Sequence, residues 1–279
     1  MKHTSATLTE GPVGKTLFML TGPMLVGHLS MILFNLADTY FVGQLGTDQL
    51  AALSFTFPVV MVLASLAIGM GIGATSVISR TIGEGDFDKV RRYATDSLIL
   101  SIILVIAVST IGILTIEPLF RLLGAGPQVL PLIRQYMIVW YPGMMFVVVP
   151  MVGNSIIRAA GDTVTPTVVM LIAVAVNLTL DPLLIFGWGP FPRLEIAGAA
   201  IATLIARSTT FTISLLVLHY RYRMLTRRRP RLHTLLASWR RILFVALPAS
   251  GSRIIAPLGI GVQRIHRVRV DPRRVQASN

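Results

Sequence analysis

The sequence predicts an all-α fold, a polytopic transmembrane helix bundle, and three observations carry that prediction. Hydrophobic residues make up 53% of the 279 residues and charged residues only 13%, with a mean hydropathy of +0.72, whereas soluble domains average roughly 25% charged. Apolar runs long enough to cross a hydrocarbon core of about 30 Å recur along the chain. The basic residues behind the net charge of +13 fall between those runs and in the tail, where the cytoplasmic loops of an inserted bundle need them. Nucleic acid is therefore the weaker explanation of the charge, and none is expected as a partner. The chain contains no cysteine, hence no disulfide framework and no thiolate metal site.

The predicted spans cover residues 16–42, 50–79, 94–116, 129–157, 164–186, 196–220 and 242–262, by run length and apolar periodicity. The first six make a transmembrane lobe at 16–220. Before it stands a polar cytoplasmic N-terminus, 1–15, without the layout of a cleavable signal peptide. A basic cytoplasmic linker follows at 221–241, then a partial seventh helix at 242–262 and a basic tail at 263–279. With the N-terminus inside, fifteen lysines and arginines flank the inner ends, against Arg121, Arg134 and Arg193 alone in the outer loops. That asymmetry sets the orientation.

The first span carries Pro23, which removes a ladder hydrogen bond and predicts a bend that can serve as a hinge. It also carries an acid, Asp38, in Asn35-Leu36-Ala37-Asp38-Thr39-Tyr40. Intramembrane acids are costly and functional by default, the alternative here being a carboxylate solvated near the outer end. In the second span Gly69-Met70-Gly71-Ile72-Gly73-Ala74 matches a dinucleotide fingerprint, but it lies inside an apolar helix, so close packing by small residues is the better reading. Gly14-Lys15-Thr16 echoes a phosphate loop and lacks its earlier glycine. The loop from Arg80 to Lys89 is a solvated connection, and the third span is a plain aliphatic helix.

The fourth span holds Tyr136, Trp140 and Tyr141, readable as an interfacial belt, then Asn154, whose amide needs a partner that Asp181 or Asn177 could supply. Arg158 and Asp162 stand four apart and are expected to pair. The fifth span contains Asn177-Leu178-Thr179-Leu180-Asp181-Pro182. At helical spacing Asn177 and Asp181 share one face and offer an amide and a carboxylate to one inward pocket, the outline of a cation or proton site. In the sixth span Ala197-Gly198-Ala199-Ala200 forms a small-residue face, Thr203 is a candidate lining residue, and Arg207 should meet an aqueous cavity or an acid.

Several of these stretches together resemble the multidrug and toxic compound extrusion (MATE) transporters. They are Ala37-Asp38-Thr39 followed by Val42-Gly43-Gln44-Leu45-Gly46, Arg80-Thr81-Ile82-Gly83-Glu84-Gly85-Asp86, Arg158-Ala159-Ala160-Gly161-Asp162-Thr163, the run from Asn177 to Gly187, and that from Ala197 to Thr203. The resemblance runs from about residue 10 to residue 260. It implies a cation-coupled antiporter, using protons or sodium, that exports drugs or other amphiphilic organic cations. Two six-helix lobes would face each other across a cavity in a bacterial or archaeal cytoplasmic (inner) membrane. It further implies that Asp38, Asn154, Asn177, Asp181 and Thr203 stand at the positions of the family's ion site, with no cofactor and no metal beyond sodium there. Arg207 departs from the pattern, which leads one to expect a neutral polar residue.

The chain also departs from the resemblance at its end, where Gln263-Arg264-Ile265-His266-Arg267-Val268-Arg269 leads on to Arg273-Arg274. Five arginines between 264 and 274 are incompatible with a lipid-buried helix, so the tail reads as an out-of-frame ending or truncation. Half a transporter is expected to be inactive alone unless it dimerises or meets a second lobe. Two other classes stay open: a related flippase for lipid-linked sugars, which would show more basic residues in its cavity, and a non-transporting membrane fragment. A membrane enzyme would need a nucleophile and base or a metal set, and His28, lone in its apolar run, fits a packed polar residue better than a catalyst.

Overall fold

The computed structural model describes residues 13–44, 46–188, 192–226 and 232–270, with the side chains of 47–50 and 254–270 outside the description. The described residues form eight α-helices: α1 Val13–Gly43, α2 Thr47–Gly83, α3 Phe87–Leu122, α4 Leu130–Gly143, α5 Met145–Ala159, α6 Val164–Phe186, α7 Glu195–Leu216 and α8 Leu232–Val270. Five helical stretches are long and apolar enough to cross a membrane, and α4 with α5 make a sixth if the pair is taken as one bent span. This is the all-α polytopic bundle expected from composition.

The predicted fourth span is two helices, bent by 40° at the break. Pro142 explains the place: it lacks an amide proton and its ring clashes with the turn before it. At the break Tyr141 O accepts from the Met144 amide at 3.1 Å and from the Ser109 hydroxyl on α3 at 2.7 Å. Pro23 behaves differently, since α1 runs unbroken from Val13 to Gly43 through it.

Small residues set the closest helix approaches. A Cβ at Gly73 would lie 2.6 Å from the Ile242 carbonyl oxygen of α8, one at Gly71 would lie 2.5 Å from Ser155 Oγ on α5, and one at Gly198 would lie 2.4 Å from the Leu184 carbonyl oxygen on α6. The glycine run of the second span therefore packs helices, as its apolar setting requires. The core falls into two main clusters. One, with Ile78, Val90, Ile156, Leu218 and Ile242, joins α2, α3, α5 and α8 at the end where α1 starts. The other, with Phe120, Ile133, Met137 and Tyr141, joins α3 and α4 at the opposite end. Large apolar side chains such as Phe18, Leu36, Leu114 and Phe244 remain outside, a surface suited to lipid rather than water.

Two boundaries differ from the sequence reading. Helix α8 starts at Leu232, inside the expected 221–241 linker, and its backbone stays helical to Val270, past the expected end at 262. Arginine is a strong helix former, so a basic stretch argues against burial in lipid without ending a helix. Residues 1–12 and 271–279 lie outside the described residues, and with them most of the expected N-terminal segment and the end of the tail.

Candidate ion site and cavity

Helix α6 supplies the centre of the site. Its start is fixed by Asp162, whose Oδ1 accepts from the amides of Val164 and Thr165, both at 2.9 Å, which satisfies two of the orphan donors of a helix N-terminus. Partial burial pushes the Asp162 carboxyl up, but hydrogen bonds from Thr165, Tyr222 and the Val164 amide outweigh this and hold it below the usual carboxylate range. The Tyr222 hydroxyl is pushed up to about 12 by burial and by its bond to Asp162. Arg221 adds an ion pair at 3.8 Å. The expected Arg158–Asp162 pair is not formed: α5 ends at Ala159, the four-residue rule holds only within one helix, and Arg158 instead donates to Ser155 Oγ at 2.7 Å.

Further along α6, Asn177 and Asp181 are both 0% exposed, and Asn177 Nδ2 donates to Asp181 Oδ1 at 3.1 Å. The helical spacing predicts that bond. Around them gather Asp38 of α1, Tyr136 of α4 and Arg207 of α7, close enough that Asp38 and Asp181 interact electrostatically with each other, and Tyr136 with both acids and with Arg207. Arg207, one turn beyond Thr203 on α7, also lies over the Phe34 ring at 4.4 Å from its centroid. Its acid neighbour, which the sequence does not identify, is Asp38.

Several polar atoms here are buried without a hydrogen-bond partner among the described residues: Asp38 Oδ1, Asn177 Oδ1, Asp181 Oδ2, Thr203 Oγ1 and Arg207 Nε. Orphaned buried polar atoms are rare in folded proteins and costly one by one. Asp38, Asp181 and Arg207 bring such atoms from α1, α6 and α7 into one buried part of the bundle. The oxygens are carboxylate, amide and hydroxyl, a hard donor set suited to a proton or a small hard cation.

Asn154 stands apart. It lies in α5, buried, and its Oδ1 accepts from Ser214 Oγ on α7 at 3.2 Å, rather than meeting Asn177 or Asp181 as expected. It lines a cavity of about 530 Å3 between α1, α2, α5, α6 and α7, which also reaches Phe34 and Arg207. His28 lines the same cavity, exposed, and among the described residues bonds its own helix, at Met24 O, 3.1 Å. Pro23 meets α6: the Thr167 hydroxyl lies 2.7 Å from Pro23 O and 2.9 Å from Thr163 O. Tyr136, read from the sequence as part of an interfacial belt, is buried beside the acids. Trp140, one turn further on, is half-buried.

Residues 23–183 match the MatE family model. The FAD transporter of Shewanella oneidensis is 43% identical over 270 residues, covering 97% of this chain and 60% of the relative. Multidrug export protein MepA of Staphylococcus aureus is 30% identical over 198 residues, 71% of this chain and 43% of the relative. Among solved structures, a MOP superfamily transporter from Pyrococcus furiosus superposes with a TM-score of 0.83 at 32% identity, over 93% of this chain and 57% of that one. The chain thus spans about half the length of the curated relatives it matches. With a matching family model across most of the six-span region and the same helical architecture, this chain belongs to the MATE family of multi-pass membrane proteins.

Proposed function

We propose that this chain forms the ion-binding lobe of a cation-coupled antiporter that exports drugs or other amphiphilic organic molecules. The observation that carries the reading is the set of unpartnered buried atoms on Asp38, Asn177, Asp181 and Thr203. Two carboxylates at bilayer depth persist where they capture and release a positive species. A proton or sodium ion is the coupling ion, and Asp38 on α1 with Asp181 on α6 are its principal holders, Asn177 positioning Asp181. Pro23 is the hinge of α1.

Basic residues support an orientation with the start of α1 on the cytoplasmic side of an inner membrane: Lys15, Arg80, Arg91, Arg92 and Arg158 flank one end of the bundle, Arg121 and Arg193 the other. Alternating access needs two bodies that rock about the site, so a second lobe or a second copy of the chain supplies the facing wall. The relatives' names divide on cargo, one being called an FAD transporter and another a multidrug export protein.

The test measures ion binding rather than transport. Purified chain in lipid nanodiscs is titrated with sodium by calorimetry and, separately, its proton uptake is followed after a pH drop. The parent is expected to take up one of the two ions, and Asp38→Asn with Asp181→Asn to lose that uptake. Unchanged uptake by the double variant would overturn the reading.

A further inference from the structure

The cavity has a sign of charge. Its titratable lining residues are His28, Arg158, Arg207 and Arg253, with no aspartate or glutamate among them. Much of the remaining wall is apolar, with Phe34, Phe146 and several methionines, a surface that can hold a flat hydrophobic body. Within the described residues neither Arg158 nor Arg207 reaches a carboxylate within ion-pair distance. Arg207 keeps Nε buried and unpartnered, and it sits mid-span, where an unpaired guanidinium is costly unless an anion or water meets it. Asp38 balances it only through longer-range attraction.

We infer that this cavity takes an anionic amphiphile, an apolar ring or chain carrying a phosphate-type group that Arg207 receives, with Arg158 and Arg253 adding attraction along the cavity. The inference deepens the export reading above and rests on it for naming the ligand a substrate. It replaces the organic cations that the sequence led one to expect. Guanidinium is the side chain whose planar fork matches phosphate oxygens two at a time, and a cation entering the same cavity would meet the three arginines with no lining carboxylate to offset them. The phosphate could be borne by a soluble compound or by a lipid headgroup; the recognition chemistry is shared.

The experiment uses a matched pair, FMN and riboflavin, which share one ring system and differ by a phosphate. Binding to the purified chain in phosphatidylcholine nanodiscs is read by flavin fluorescence, with tetraphenylphosphonium as a cationic comparison. FMN is expected to bind about tenfold or more tightly than riboflavin, the factor that one charge-assisted hydrogen bond commonly supplies. Arg207→Gln should collapse that ratio towards unity while gel-filtration behaviour stays as in the parent, and Arg207→Lys should restore part of it. Repeating the titration with phosphatidylglycerol in the disc separates the sources. Loss of FMN binding assigns the site to lipid phosphate, and unchanged binding assigns it to a soluble compound, both supporting the anionic class. Equal affinity for the two flavins, or tighter binding of tetraphenylphosphonium than of FMN, overturns the inference and leaves the ion site at Asp38 and Asp181 untouched. Loss of cation uptake as the parent's behaviour, with FMN preference intact, would instead remove the export reading.

Discussion

Replacing Gly73 by alanine tests the packing on which the cavity depends. The new Cβ would stand 2.6 Å from the Ile242 carbonyl oxygen and 3.0 Å from Ala246 Cβ, short of ordinary contact at 3.4 Å by about 0.8 Å for the first. Its obstacle is backbone rather than the end of a flexible side chain, so α8 must lift from α2. Overpacking of this kind costs about 1–3 kcal/mol. Against it stands the gain of about 1 kcal/mol from replacing glycine inside a helix, leaving a net loss of about 1 kcal/mol. Gly251, on α8, is the control, because a Cβ there meets nothing within 4 Å. Gly251→Ala therefore gains up to about 1 kcal/mol from propensity alone. The two variants should differ in sign. Unfolding in detergent followed by tryptophan fluorescence reads both, since Trp239 of α8 donates from Nε1 to Asp96 O on α3 at 3.0 Å and reports the departure of α8. Stabilisation by Gly73→Ala equal to that by Gly251→Ala would show that α8 does not lie against α2, and the wall that brings Arg253 to the cavity would be wrongly placed.

Two other expectations concern the start of α6. Thr167→Val keeps the shape of the side chain and removes the hydroxyl between Pro23 O and Thr163 O; hydrogen bonds between membrane helices are worth about 0.6 kcal/mol on average, so amide exchange in α1 around Pro23 should quicken by about threefold, and unchanged exchange would show that the hydroxyl serves only its own helix. Asp162 lies outside the spans and its folded carboxyl titrates below the ordinary value, so its contribution is present above about pH 4 and is lost as pH falls through the folded value. Asp162→Asn should flatten the acid limb of the stability curve below about pH 4, whereas an unaltered limb would place the acid sensitivity elsewhere.

What could be read from the sequence and what could not divides along a physical line. The Asn177–Asp181 bond follows from a period of about 3.6 residues on one continuous helix, and the packing of Gly73 and Gly198 follows from small residues in apolar runs. Both are local. Asn154 finds Ser214, sixty residues away, and no spacing rule reaches that far. Arg158 and Asp162 show the failure from the other side: the spacing is right, but α5 ends at Ala159 before it can act. Tyr136 was legible as an aromatic near a helix end but not as a neighbour of Asp38 and Asp181, because those acids come from α1 and α6, far from it along the chain. The break after α4 is signalled by Pro142, inside an apolar run long enough to look like one span.

The arrangement of charges gives the proposed coupling a direction. Asp38 rides on α1, while Asp181 and Arg207 are fixed on α6 and α7, which pack against each other. With both carboxylates ionised, Asp181 pushes α1 away and Arg207 pulls it in. Unit charges about 4 Å apart at an effective dielectric near 20 interact by about 4 kcal/mol, so even a fraction of that rivals the few kcal/mol that separate alternative conformers. A cation captured between the acids would cancel the push and leave the pull of Arg207, drawing the C-terminal part of α1 towards the α6–α7 pair about a pivot near Pro23, where Thr167 already ties α1 to α6. The same movement shifts Phe34, which is on α1 and forms a wall of the cavity with Arg207 over its ring. Ion capture would then reshape the cavity through α1 alone. A crosslink holding α1 to α6 should accordingly abolish any difference in FMN affinity between ion-loaded and ion-free protein, and a difference that survives the crosslink would mean that the two sites communicate through α7 instead.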